Sequence, residues 1–451
     1  KMFQLMMEKI IQWIKKNKFN MRIFLILIFL FLNFNTFSSA TDLIFFIESA
    51  YKNNPKLKAE REAFKATKEN INISKSEFLP SITVSGTLDS NQSTNRTNRS
   101  GINLADLSND TSTQSISVDQ KIFQGFEGYN SLKKSKLEVK QANYKLKNIE
   151  QEIILKSVIA YYDFIYKTKS KEFNLANLSL LERQVESDKS RLQRGEISLT
   201  DLSQSESSLA GARASFITAG NALLTAKTNF ERIIRTSVPE DIDNQAKLNI
   251  VLPNNLNVAL KKAEKNNPKI MIAKLDYKIA ERDVGIERAK LSPSASINYT
   301  KSKSEDYSST VDKIDKESVK ATVKWPIIKG GENYSSFKKK KFKKNESNLI
   351  LQDTFNEVKS DTANAWSLYQ STESVLQSTQ AQVNAAEIAN EGITLEYESG
   401  NTRTTLEVIQ SRSLLLNARI INAKAERDFI TSKFKLLSVL GELTLKNIKK
   451  S

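Results

Sequence analysis

One pentapeptide occurs twice in this chain, as Lys52-Asn53-Asn54-Pro55-Lys56 and again as Lys265-Asn266-Asn267-Pro268-Lys269. The surrounding residues keep the same offset of 213 positions, with position 265 matching position 52. Five further identities share that offset: Leu43, Ala50, Ile73, Pro80 and Ser81 recur as Leu256, Ala263, Ile286, Pro293 and Ser294. Matches in one register over such a distance indicate an internal duplication.

The duplication divides the chain into two repeats, residues 41–236 and 256–441. Residues 237–255 contain two prolines and read as the linker between the repeats, and residues 442–451 form a short basic tail. Each repeat has the pattern of a helix, two strands, a long helix and a second helix. The first repeat has the longer connection between its strands, which is rich in Ser, Thr and Asn.

The helices are long and follow a coiled-coil pattern. Helical periodicity without proline extends over residues 126–193 and again over residues 332–398, each roughly 100 Å at 1.5 Å per residue. The following helix, predicted over residues 200–235, repeats apolar residues every seven positions. Its heptad positions are Leu202, Leu209, Phe216, Leu223 and Phe230. We expect this helix and a continuous helix over residues 41–77 to stack end to end against the long one.

Four segments alternate as strands, over residues 81–89, 115–123, 294–301 and 319–327. A soluble sheet packed on a core gives the same period. Strands of this length behind a secretory signal also fit a transmembrane barrel with apolar residues facing lipid. The lipid-facing candidates are Ile82, Val84, Ile116, Val118, Ile297, Tyr299, Val323 and Trp325. Four strands cannot close a barrel without open edges in lipid, so this interpretation requires an oligomer.

Residues 1–40 have the pattern of a leader and secretory signal peptide. Met21-Arg22 precedes ten apolar residues, and the segment ends in Ser38-Ser39-Ala40, which predicts a mature start at Thr41. A membrane anchor is the alternative, but ten apolar residues are fewer than the roughly 20 of a spanning helix. The leader carries six basic residues and one acidic residue. Residues 41–451 therefore hold +12 of the total charge of +17.

The composition excludes several chemistries. The chain has no histidine and no cysteine, so it cannot build a Ser-His-Asp triad, a cysteine nucleophile, a disulfide or a zinc finger. No cluster with catalytic spacing stands out, and we expect no enzyme activity, no cofactor and no metal site. Residues 338–344 hold six lysines. Such a run is usually a solvated face. Behind a secretory signal, the alternative is contact with anionic groups near the membrane interface rather than with nucleic acid.

The order of elements resembles the TolC family of outer-membrane efflux proteins. The first hairpin opens with Leu79-Pro80-Ser81, and the second closes with Trp325-Pro326-Ile327-Ile328-Lys329-Gly330-Gly331. The segments Arg194–Leu202 and Tyr397–Thr404 are similar to that family's two periplasmic hairpin turns. The resemblance covers nearly all of residues 41–441.

The resemblance implies a mostly α fold with a small β part. It implies a homotrimer in outer-membrane lipid, with a 12-strand β-barrel above a periplasmic α-helical tunnel of coiled-coil helices. Such a channel is the exit duct of a tripartite efflux or type I secretion system in a Gram-negative bacterium. Its partners would be a periplasmic adaptor (membrane fusion protein) and an inner-membrane pump or ABC transporter.

The resemblance also implies a gate. In that family a Tyr and an Arg on the second turn link to a Thr-Asp pair on the first, and Tyr397, Arg403, Thr200 and Asp201 fall on those places. Glu407 matches one of two constricting carboxylates, and the place of the second holds a glutamine. We therefore expect one acidic ring in the pore. One extra residue lies between Gly400 and Arg403, and it could rotate Arg403 away from its partner.

A periplasmic coiled-coil adaptor or a structural envelope protein is the alternative function. Either would explain the helices but not the strands, the duplication and the two turns together. An adaptor would normally show one helical hairpin and a separate glycine-containing β-domain, which this sequence lacks.

Overall fold

The computed structural model describes residues 43–238, 251–308, 310–399 and 403–450. The leader, the predicted cleavage site, most of the linker and the extra residue after Gly400 lie outside the described residues. Within them the helices are α1 Leu43–Asn53, α2 Pro55–Ser76, α3 Glu127–Gln193, α4 Leu199–Ile234, α5 Leu256–Asn266, α6 Pro268–Ala289, α7 Glu332–Glu398, α8 Thr405–Val439 and α9 Leu445–Lys450. The strands are β1 Ser81–Ser93, β2 Leu107–Gln124, β3 Ser294–Ser308 and β4 Val311–Lys324.

The repeated pentapeptide breaks a helix in both halves, so the expectation of one continuous helix over residues 41–77 is wrong. Proline has no backbone N–H and is favoured at the first position of a helix, where it begins α2 and α6. The asparagine before it caps the new helix: the Asn54 side chain accepts from the Lys56 amide at 3.0 Å, and Asn267 accepts from the Lys269 amide at 2.8 Å. The break is therefore built into the pentapeptide itself.

The same asparagines attach this break to the end of another helix. The Asn54 amide donates to the carbonyl of Ile233 at 3.2 Å, near the end of α4. The Asn267 amide donates to the carbonyl of Val439 at 2.7 Å, at the end of α8. Carbonyls in the last turn of a helix have no partner within it, so each asparagine satisfies one of them. The break between α1 and α2 is thus hydrogen-bonded to the end of α4, and the break between α5 and α6 to the end of α8.

The four strands form one antiparallel sheet in the order β1-β2-β3-β4. The register places Ile82 opposite Val118, Val118 opposite Tyr299, and Tyr299 opposite Val319, so these side chains share one face. All four strands are longer than predicted because Ser, Thr, Asn and charged residues continue the pairing where apolar alternation stops. Trp325 follows the last residue of β4, so its prediction as a strand residue of the lipid face is wrong.

The other face of the sheet is polar, with hydrogen bonds between side chains on neighbouring strands. Ser85 and Ser115 hydroxyls lie 2.8 Å apart, and Thr113 and Ser304 hydroxyls 2.9 Å apart. The Asn298 amide donates to Asp119 at 2.6 Å. Small hydroxyl and amide side chains therefore make most of this face polar.

Buried apolar clusters lie within each repeat and also between the repeats, where Leu181 and Ala212 pack with Ile409. In the first repeat Phe46 lies between Phe230 and Tyr161, with ring centroids 5.1 and 5.6 Å away. In the second, Ile270 is buried with Val358 and Leu436. In the first repeat α1, α2 and α4 all pack on α3. Among the described helices, none has the length and apolar character needed to span a bilayer.

Candidate functional site at the two helical turns

The first turn connects α3 to α4 and is closed by a reciprocal cap. The Ser198 hydroxyl accepts from the Asp201 amide at 3.2 Å, and the Ser198 amide donates to the Asp201 carboxylate at 3.0 Å. This capping box satisfies two amides at the start of α4. The hydrogen bond from the Ser198 hydroxyl lowers the pKa of Asp201 below its ordinary value. Beside the cap, Arg194 pairs with Glu196 at 2.6 Å.

The second turn carries the same cap on α8. The Thr404 amide donates to Glu407 at 2.7 Å, and the Glu407 amide donates to the Thr404 hydroxyl at 3.3 Å. The hydrogen bond from the Thr404 backbone lowers the pKa of Glu407. Arg403 then bridges two carboxylates, at 2.6 Å from Glu396 and 2.9 Å from Glu407. Glu407 is thus both a helix cap and an ion-pair partner.

A tyrosine and an arginine join the two turns within the chain. The Tyr397 hydroxyl accepts a hydrogen bond from Arg191, which lies near the end of α3. The guanidinium carbon of Arg191 stands 4.9 Å from the centroid of the Tyr397 ring, within the range of a cation–π contact. The same hydroxyl is 3.1 Å from that of Thr405. Tyr397 therefore holds the end of α7 against the end of α3.

The structure brings together some of the predicted gate residues and separates others. Arg403 meets Glu407, and Tyr397 meets Arg191, whose role the sequence reasoning missed. Thr200 is exposed, and the side-chain hydrogen bonds of Asp201 go to Ser198. In the part of the chain described, no hydrogen bond links Thr200 or Asp201 to Tyr397 or Arg403. No sequence signal marks Arg191, whose counterpart at the repeat offset of 205 is Glu396, a residue of opposite charge.

A buried polar network lies one to two helical turns from the first cap. Asp188 is fully buried and accepts from Gln184 at 2.9 Å and from the Ser205 hydroxyl at 2.6 Å. Arg412 donates to Gln184 at 3.2 Å, and burial lowers the pKa of Arg412. The network connects α3, α4 and α8. Buried polar groups whose bonds are all made fix one arrangement of their helices.

The predicted lipid face is exposed in the single chain. Ile82 is 70% exposed, Val84 74% and Val323 74%, and Ile116 and Ile297 are also exposed. Val118 and Tyr299 are partly covered. Trp325, beyond β4, donates its indole N–H to the carbonyl of Leu291 at 3.2 Å. An apolar face of this extent marks contact with a membrane or another protein.

No group of three or more acidic side chains with metal-binding geometry occurs among the described residues. The arrangement has instead an apolar sheet face at one end of α3 and charged, capped turns at the other. At 67 residues, α3 separates these ends by roughly 100 Å. One end suits lipid and the other suits water and protein partners. These features are those of a protein that extends from a membrane into an aqueous compartment.

The chain belongs to the outer membrane efflux protein family, whose model matches residues 46–234 and 259–442. It is 25% identical over 396 residues to the outer membrane efflux protein BepC of Brucella suis, covering 88% of this chain and 84% of that protein. It is 24% identical over 428 residues to the outer membrane protein TolC of Escherichia coli, covering 91% and 84%.

Solved structures share the fold. The CmeC outer membrane channel of Campylobacter jejuni superposes with a TM-score of 0.78 at 16% identity, covering 92% of this chain and 90% of that one. The outer membrane protein VceC of Vibrio cholerae gives 0.74 at 17% identity, covering 89% and 97%. The chain is therefore an efflux protein of the outer membrane that extends into the periplasm. The resemblance to the TolC family is confirmed.

Proposed function

We propose that three copies of this chain form the outer-membrane exit duct of a tripartite efflux or type I secretion system. The observation that carries the proposal is the sheet: β1 and β4 each have one unpaired edge, while one face exposes Ile82, Val84 and Val323. Three sheets joined edge to edge give 12 strands and leave no edge in lipid. The polar face then lines a water-filled passage.

The partners follow from the position of the turns. A duct that ends in the periplasm needs a periplasmic adaptor and an inner-membrane pump or ABC transporter to deliver cargo. The capped turns present exposed charged side chains about 100 Å from the sheet. Adaptor contact at this level is the coupling that we propose between the pump and the duct.

The turns form the gate in this proposal. Arg403 and Tyr397 on the second turn face Thr200 and Asp201 on the first turn of an adjacent copy, and Glu407 contributes an acidic ring. Each link is an exposed polar contact, and such contacts are weak and screened by salt. An adaptor that binds the open form more tightly shifts the population of a gate held this weakly.

The sheet assignment is tested by matched aspartate substitutions. Val84→Asp and Val323→Asp place a charge on the apolar face, whereas Thr83→Asp and Thr322→Asp place it on the polar face of the same strands. We expect the first pair to reduce the yield of membrane-inserted trimer at least tenfold, because a charge facing lipid costs a few kcal/mol near the midplane. Crosslinking of purified protein in detergent measures the yield. Equal tolerance on both faces, or monomers from wild type, would contradict the barrel.

A further inference from the structure

A lysine run begins close to the sheet on α7. Lys338 is the seventh residue of this helix, about 9 Å along its axis from Glu332. Lys340 pairs with Asp283 at 3.1 Å, and Lys343 with its neighbour Glu346. Three further lysines of the run are exposed, and among the described residues no carboxylate lies within ion-pair distance of them. These are Lys338, Lys339 and Lys341.

The first repeat carries the same arrangement on α3. At the repeat offset of 205, the lysines at 338, 339 and 341 match those at 133, 134 and 136, and Tyr334 matches Tyr129. The contacts match too: the Lys338 ammonium is 4.7 Å from the Tyr334 ring centroid, and the Lys133 ammonium 4.3 Å from that of Tyr129. The same aromatic and basic side chains thus occur twice at the same distance from the starts of α3 and α7.

Beside the lysines of α3 is a basic cleft of about 290 Å³ between α3 and α6. Its charged lining is Lys133, Lys136, Lys140, Lys278, Arg282 and Glu281. The single carboxylate is 3.7 Å from the arginine. In the described chain, Lys136, Lys140 and Lys278 form no ion pair. Five cations around one carboxylate need an external anion to balance them.

Exposed apolar side chains connect the sheet to these lysines. At the joint before α7, Trp325 is 62% exposed, Ile327 76% and Ile328 88%. At the joint before α3, Phe126 is 66% and Tyr129 48% exposed. Aromatic residues followed by lysines are the order found where a protein leaves the hydrocarbon layer and meets the headgroups. With the lipid-facing sheet of the proposed function, this order places the lysines at the level of lipid phosphates on the periplasmic side.

We propose that a basic collar on this chain binds the phosphate headgroups of anionic phospholipids in the periplasm-facing leaflet. The collar consists of the lysines at 133, 136 and 140, the α6 residues Lys278 and Arg282, and the lysines at 338, 339 and 341. The proposal rests on the lipid-facing sheet of the proposed function, because the position of the sheet in the bilayer places the collar at the membrane surface. Lysine ammonium groups match the charge of a phosphodiester, and several of them converge in the cleft. Each copy of the chain would hold lipid at two places around the duct.

The test is lipid binding by the full-length protein in detergent, followed by native mass spectrometry. Phosphatidylglycerol and phosphatidylcholine are titrated separately. The collar variant carries Lys133→Gln, Lys136→Gln, Lys338→Gln and Lys341→Gln. A matched control removes four lysines that are exposed and unpaired on other helices, through Lys58→Gln, Lys227→Gln, Lys261→Gln and Lys424→Gln.

We expect wild type and control to prefer phosphatidylglycerol, and the collar variant to bind it about tenfold or more weakly, since each lysine near anionic lipid strengthens binding several-fold. Binding of phosphatidylcholine should change little. A collar variant that binds phosphatidylglycerol like the control would overturn the proposal. A second result would also overturn it: the collar variant binds phosphatidylglycerol undiminished but loses a crosslink that wild type forms from this surface to an acidic envelope protein. That result would assign the collar to a protein partner.

Insertion into vesicles separates this proposal from the proposed function. The collar variant should still insert into phosphatidylcholine vesicles as wild type does. If wild type inserts but shows no preference for phosphatidylglycerol, only the collar proposal fails. If wild type inserts into neither vesicle type, the lipid-facing sheet fails, and the collar proposal fails with it.

Discussion

The two helical turns have the same cap but different charges around it. Asp201 and Glu407 match at the repeat offset of 206, and each closes a capping box with a hydroxyl residue three positions earlier. Around the first cap, two arginines balance Glu196 and Asp201. Around the second turn, Arg403 pairs with Glu396 and Glu407, and Glu398 is a third carboxylate.

This difference separates folding from function. A capping box stabilises the start of a helix in any protein, so its presence in both repeats indicates only that both turns must fold. The excess of carboxylates occurs in one repeat, and a helix start does not require it. We therefore place the gate and the acidic ring on the second turn, with the first turn as its receiving surface.

Removal of the links on the second turn should have the largest effect. We expect Tyr397→Phe combined with Arg403→Ser to raise single-channel conductance in planar bilayers several-fold and to admit larger antibiotics, with trimer assembly unchanged. The matched change on the first turn is Arg194→Ser, which removes an arginine that pairs only with Glu196 and should leave conductance unchanged. Equal conductance of the double variant and wild type would contradict the gate assignment.

Glu407 should affect cation block more than opening. Glu407→Gln keeps a side chain that can cap α8 but removes one charge from each copy, so a ring of three carboxylates is lost. We expect block by multivalent cations to weaken about tenfold, because opposite charges at a narrow ring attract strongly. Asp201→Asn is the matched control at the first cap. If both substitutions weaken block equally, the two turns do not differ as proposed.

Arg191 should have a smaller effect on the gate. Arg191→Met removes the hydrogen bond to Tyr397 and the cation–π contact while keeping an unbranched side chain of similar reach. We expect conductance to rise less than in the Tyr397/Arg403 double variant, because Arg403 keeps its links. In a Tyr397→Phe background the effect of Arg191→Met on conductance should shrink, because the hydrogen bond between the two side chains is already lost. Full additivity in bilayer recordings would show that they act independently.

The pH dependence of the caps should be the smallest effect. Hydrogen bonds lower the pKa of both cap carboxylates below their ordinary values of 3.8 for Asp201 and 4.5 for Glu407. A lowered folded-state pKa means that the cap contributes fully above the ordinary value and is lost as pH falls through the lowered one. We expect the protection factors of amides at the starts of α4 and α8, which correct exchange rates for their intrinsic pH dependence, to fall only below about pH 4. A fall in these protection factors between pH 6 and 8 would contradict this assignment.

The sequence predicted the long helices well because heptad spacing and the absence of proline mark them clearly. The bounds of α7 agree with the prediction over residues 332–398. The break at Asn54 was missed, although Asn-Pro carries both a cap and a residue suited to a helix start. Strand ends were missed because residues such as Asn91 and Asp315 pair through the backbone without any apolar alternation.

The candidate site was less accessible from the sequence. Tyr397, Arg403 and Glu407 could be selected from their places on the turn, but their partners depend on how α3 and α7 end beside each other. Arg191 reads as an ordinary charged residue of a coiled coil until Tyr397 lies against it. Asp188 likewise reads as a surface residue, and only the packing of α4 and α8 buries it.

The central claim is that the second turn of one copy closes against the first turn of the next. The chain contains no cysteine, so a Thr200→Cys/Arg403→Cys variant reports on this pair alone. We predict that mild oxidation yields disulfide-linked trimers on a non-reducing gel with low single-channel conductance, and that dithiothreitol raises the conductance and releases monomers. Thr200→Cys alone should show neither change. Oxidation that leaves both the conductance and the monomer band unchanged would contradict the claim.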